Sequence, residues 1–152
     1  MDAKYRICTD GSTIGNRGPG GWGACFEQAG QRWEMSGSNP WTTIAEMELA
    51  AAVYALQSLP EGAEVELRSD SEYLIYGIQV FVFRWRRQHW RNNRGEVLQN
   101  RKLWIELLRL NSSLRIQWIW VKGHNGDPEQ CRADALAYRA ARSCWTAQQK
   151  AA

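Results

Sequence analysis

The chain has 152 residues, 44% of them hydrophobic and 23% charged, and a net charge of +3. That composition fits one soluble domain with a real core. No window approaches the roughly 18 apolar residues of a membrane span, Met1–Arg6 carries no signal-peptide core, and cysteines 8, 25, 131 and 144 lack zinc-ligand spacing. A cytoplasmic protein with free thiols is the expectation, although Cys8 and Cys25 could face each other across a hairpin.

Lys4–Thr9 alternates Tyr5, Ile7 and Thr9 with Lys4, Arg6 and Cys8. That is the pattern of a half-buried strand, ended by Asp10-Gly11. An acid beside an apolar strand must stay wet, be hydrogen-bonded or meet a cation; a turn-forming Asp-Gly is the plain alternative. Residues 15–23 hold five glycines and Pro19. They read as a tight connection without Walker or GxGxxG spacing, with Asn16 a weaker ligand-contact candidate. Trp22–Glu27 and Gln31–Ser38 form a hairpin turning at Ala29-Gly30, ended by Asn39-Pro40.

Thr42–Leu59 is a helix, apolar on most sides and therefore buried. Thr43 and Glu46 fit a capping box, and Glu48 sits inside the apolar run where a solvated face has little room. Glu64–Ser69 alternates as a strand with Asp70 at its end, and Ser71–Val80 returns to helical spacing. This order predicts an α/β sheet with parallel crossovers, whose ligands gather beyond the carboxyl ends of the strands.

Between Arg84 and Arg94 stand five arginines (84, 86, 87, 91 and 94), Trp85 and Trp90, and no acid. This clustering, rather than the net charge, points to a polyanion partner. Asn100 is a suitable N-cap for a helix bearing Leu103, Trp104, Leu107 and Leu108. Leu114–Val121 is the last strand. Lys122–Gly126 is a loop, and Asp127-Pro128 opens a closing helix with an Ala133, Leu136, Ala137, Ala140 and Ala141 stripe beside Asp134. A single domain over 1–142 is expected, with 143–152 a short frayed tail.

Four acids stand out: Asp10, Glu48, Asp70 and Asp134. Brought together they could not all ionise without cations between them. Their hard oxygens select Mg²⁺ or Mn²⁺ over zinc, and two such ions about 4 Å apart form a clamp for displacement at phosphorus.

The residues Thr9-Asp10-Gly11-Ser12, the loop at 15–23, Met47-Glu48-Leu49, Ser69-Asp70-Ser71, Trp85 and Trp90, Val121-Lys122-Gly123-His124, and Asp134 together resemble the bacterial type 1 ribonucleases H (ribonuclease HI). The resemblance runs in family order over residues 4–142. It implies a ribonuclease H-like fold: a mixed five-stranded sheet flanked by helices, with a basic helical protrusion. It implies hydrolysis of the RNA strand of an RNA–DNA hybrid, leaving 5′-phosphate and 3′-hydroxyl ends, with two Mg²⁺ ions (Mn²⁺ as substitute) held by Asp10, Glu48, Asp70 and Asp134. His124 would assist proton transfer or product release, and Gly11 would keep bulk away from the scissile phosphate.

The candidate nucleic-acid contacts are Asn16, Thr43, Arg84, Trp85, Arg86, Arg87, Trp90, Arg91 and Asn100. Trp90 has core packing as its alternative, and Thr43 a purely capping role. One departure stands out: Ile44-Ala45-Glu46 replaces a polar pair, often two asparagines, that reaches the minor groove in the family. Weaker hybrid affinity or altered cleavage preference is expected from it. A free monomer is expected. A catalytically silent binding module, or another nuclease or integrase of the superfamily, is the rival reading.

Overall fold

The computed structural model describes residues 3–123 and 127–152. β1 (Tyr5–Thr13) lies at the centre of a sheet with β2 (Gly18–Gln28), β3 (Gln31–Thr42), β4 (Glu64–Ser69) and β5 (Arg115–Trp120), in the order β3-β2-β1-β4-β5. The first three strands are antiparallel; β1–β4 and β4–β5 pair in parallel. The mixed five-stranded sheet expected from the sequence is present.

β1 continues past Thr9 because Asp10–Thr13 pairs with Gly20–Gly23. Asp10-Gly11 is therefore strand and not a turn. The glycine-rich segment is likewise mostly β2, and the true connection is the short stretch between Thr13 and Gly18. These glycines serve close packing. A Cβ at Gly21 would lie 2.4 Å from the Ala137 carbonyl oxygen, and one at Gly23 would lie 2.6 Å from that of Ala133. Both carbonyls belong to the closing helix, α5 (Pro128–Ala151), which crosses this face of the sheet. β3 also runs through Asn39-Pro40, where the sequence suggests a stop. An edge strand tolerates proline, and the β2–β3 register shifts between Gly18 and Gly20, opposite that point. Cys8 and Cys25 face each other as register partners and are free thiols.

α1 (Ile44–Gln57) fills the opposite face with Met47, Leu49, Ala50 and Val53. Only half of its capping box forms. The Glu46 amide donates to Thr43 Oγ1 at 3.2 Å, but the Glu46 carboxylate turns to the Thr42 hydroxyl at 2.7 Å and the Asn39 amide at 3.3 Å. α2 (Glu72–Tyr76) passes through a π-helical turn, Gly77–Phe81, into α3 (Val82–Arg87). Together with α4 (Arg101–Ser113), these pack around the fully buried Trp104.

Two terminal expectations change. Asn100 precedes α4 with φ of 60° and caps nothing with its side chain, because its Nδ2 donates to the Tyr73 hydroxyl at 3.3 Å. The segment after Arg142, expected as a tail, is drawn into α5, which is helical to Ala151. Arg142 lies over the rings of Tyr138 and Trp145, and the Gln148 amide donates to the Pro40 carbonyl at 2.9 Å.

Candidate active site

The parallel register of β1 with β4 ends at Thr9–Ser69. Asp10 and Asp70 are the next residues on each strand, so the topology alone sets them side by side at the carboxyl end of the parallel pair. Glu48 is presented to them by α1, which lies directly against β1: a Cβ at Gly11 would stand 2.6 Å from the Glu48 backbone nitrogen. Gly11 thus lets the helix approach, a different role from shielding a phosphate. One carboxylate oxygen from each of Asp10, Glu48 and Asp70 lies within 4.8 Å of the others. Asp134, on the second turn of α5, sits against Asp10 and acts on it by charge and by a shared hydrogen bond.

This crowding has electrostatic consequences. Burial, and then the Asp70 charge, push the Asp10 carboxyl up to about 8, with Asp134 adding to the rise and the Gly11 amide, donating at 2.9 Å, opposing it. Only 6% of Asp10 is exposed. Glu48 is also raised, by burial first and by Asp70, while the Ser71 hydroxyl lowers it. That hydroxyl donates to Glu48 Oε2 at 2.6 Å and itself accepts the Leu74 amide at 3.1 Å. On β5, the Trp120 indole donates to the Asp70 carbonyl at 3.2 Å.

An all-carboxylate donor set, converging within bonding range of a common point and paying an ionisation penalty, fits a hard divalent cation. Asp10, Glu48 and Asp70 could hold such an ion directly, with Asp134 beside them. His124 lies outside the described residues.

The basic segment forms a protrusion built on α3. Arg84, Arg86 and Arg87 are exposed, as is Arg91, whose Nη1 donates to the Gly95 carbonyl at 2.8 Å. Trp85 stacks on Phe81 at 5.9 Å and leans on Trp104 at 5.0 Å, so it fastens the protrusion to the core. Trp90 is half-buried with φ of 61°, and its backbone bonds to Trp85 and Leu98. Asn16 is exposed between β1 and β2, and Thr43 holds the start of α1. Sequence reading missed Ser71 and Gln130, whose amide donates to the Thr9 carbonyl at 3.3 Å. Ser71 was readable as an N-cap after a strand, but its bond to Glu48 on another element was not.

A family model described as RNase H matches residues 2–142. The chain belongs to the ribonuclease H family. The ribonuclease H of Xanthomonas oryzae pv. oryzae is 44% identical over 134 residues, covering 88% of this chain and 89% of that one. The ribonuclease H of Erythrobacter litoralis is 44% identical over 138 residues, covering 91% and 96%. Among solved structures, LC9-RNase H1, described as a type 1 RNase H with the type 2 active-site motif, superposes with a TM-score of 0.84 at 28% identity, covering 94% of this chain and 74% of that one. As a ribonuclease H the protein is a hydrolase, and it has the ribonuclease H-like fold expected from its sequence.

Proposed function

We propose that this ribonuclease H cuts the RNA strand of RNA–DNA hybrids internally, using two magnesium ions held by Asp10, Glu48, Asp70 and Asp134 and leaving 5′-phosphate and 3′-hydroxyl ends. Manganese substitutes, and the enzyme works as a cytoplasmic monomer. The observation that carries this reading is the convergence of Asp10, Glu48 and Asp70 oxygens within 4.8 Å at the carboxyl end of the β1–β4 pair. When bound, the ions activate the attacking water and stabilise the charge on the leaving 3′-oxygen.

The chain's own residues do the rest. Asp10, shared between the acids, orients the set from the central strand. Ser71 fixes the Glu48 carboxylate. His124, in the segment that resembles the family's histidine loop, moves a proton or helps product leave. The protrusion arginines hold phosphates of the DNA strand, and Trp85 supports them from beneath. RNA is told from DNA by its 2′-hydroxyls, displayed in the wide, shallow minor groove. Asn16, Thr43 and Asn100 supply further contacts. Ile44 and Ala45 supply none of the amides that a polar pair would.

The test is a labelled hybrid incubated with Mg²⁺ or with EDTA, beside single-stranded RNA and duplex DNA. Metal-dependent loss of the hybrid's RNA alone supports the proposal. A hybrid that is retained in gel shifts but left uncut would make the protein a binding module instead.

A further inference from the structure

α5 carries more than Asp134. Positions 134, 138, 142 and 145 follow the i, i+4, i+3 spacing of one helix face. The adjoining strip, through Ala133, Ala137 and Ala141, is buried, with the Ala133 and Ala137 carbonyls against Gly23 and Gly21 of β2. Tyr138 is 56% exposed and Trp145 37%. The Arg142 guanidinium lies between them, 5.8 Å from the Tyr138 ring centre and 5.4 Å from that of Trp145. Residues 135–152 contain Arg139, Arg142 and Lys150 and no acid. A ladder of ring, guanidinium and ring therefore leads away from the carboxylates along a stretch of α5 that itself carries no acid, although Glu34 of β3 stands near Arg139 at its flank.

We propose that this ladder binds unpaired RNA that continues from the hybrid beyond the cleavage site. The inference rests on the function proposed above, in which the strand passing Asp134 is the RNA strand. Aromatic faces and an arginine plane stack on unpaired bases and tolerate any sequence, whereas paired bases offer them no face. The ladder spans about 10 Å along the helix axis, at 1.5 Å per residue over the seven residues from Tyr138 to Trp145. That is roughly three steps of a stacked strand. Charge complementarity and continuity with the carboxylate site both select a nucleic-acid occupant.

The experiment compares KM for a blunt hybrid with KM for the same hybrid carrying an RNA overhang of about six nucleotides, within the span of one single-strand site, at either end. The expected result is a KM lower by about tenfold for one overhang, the weight of one or two stacked bases. Trp145→Ala should erase that ratio and Trp145→Phe should restore it, with circular dichroism reporting whether α5 persists. Equal KM values for blunt and overhung substrates overturn the proposal, as does a ratio that survives Trp145→Ala. An equal gain from a DNA overhang overturns the assignment to RNA. Failure to cut even the blunt hybrid would instead defeat the proposed function.

Discussion

The Ser71 hydroxyl donates to Glu48 Oε2 at 2.6 Å while accepting the Leu74 amide. One side chain thus caps α2 and holds a carboxylate of the candidate metal site. Partners of this kind orient ligands, and their loss commonly costs 10–100-fold in metal affinity or activity. Ser71→Ala should raise the Mg²⁺ concentration for half-maximal cleavage by roughly tenfold and lower stability by about 1 kcal/mol through the lost cap. Ser71→Thr should restore both. A magnesium titration of the cleavage rate checks this; an unchanged midpoint would show that Glu48 needs no such support.

Asp10→Asn should abolish cleavage while stabilising the metal-free protein, because it relieves crowding among carboxylates. For every ~1 kcal/mol of repulsion relieved, a gain of roughly 2–4 °C is expected for a domain this size. Thermal melts in EDTA give the answer, and cleavage that survives the change would remove Asp10 from the site.

The pH dependence has a definite sign. Asp10 titrates near 8 when folded, above its ordinary value of 3.8. The folded state then holds more protons than the unfolded one between those values, so stability falls as pH rises from about 4 to 8. Glu48, also raised, adds in the same direction. Metal-free protein should melt at progressively lower temperature over that range, Asp10→Asn should flatten the trend, and Mg²⁺ should counter it most at the alkaline end.

Ile44 is 50% exposed at the start of α1, beside Thr43. Ile44→Asn with Ala45→Asn should lower KM for a hybrid by roughly tenfold, if each amide contributes about 0.5–1.5 kcal/mol of hydrogen bonding, with kcat little changed. An unchanged KM would mean that the hybrid does not depend on this surface.

Gly11→Ala should damage stability and rate together. The added carbon would sit 2.6 Å from the Glu48 backbone nitrogen and 2.7 Å from the Met47 carbonyl carbon, so α1 must move and carry Glu48 with it. A loss of about 1–3 kcal/mol is expected for such overpacking, read by denaturant melts beside kcat. A fall in stability with kcat intact would show that Glu48 keeps its place when the helix shifts.

The sheet, the buried helix and the basic protrusion were legible because each rests on local periodicity or composition. Alternation in Lys4–Thr9 and Glu64–Ser69 marks the two strands that bear Asp10 and Asp70. The four acids were legible as a candidate set from their places at two strand ends, in a buried helix and on the closing helix, and the motifs around them sharpened it. What escaped was decided by distant partners. β1 extends beyond Thr9 because glycines in β2 pair with it, and those glycines are small because α5 lies on them. Asn100 bonds Tyr73 in place of its own helix, and the last turns of α5 are held by Arg142 and by Pro40 on β3. No window of the chain contains such relationships.

Asp10, Glu48, Asp70 and Asp134 come from four separate elements, β1, α1, the end of β4 and α5. No hairpin, crossover or isolated helix gathers them; the last arrives only when α5 docks across β2. On the proposed assignment of the activity to these four acids, cleavage would be withheld from every partly folded chain, and a hybrid would meet a competent cutter only once the tertiary structure has closed.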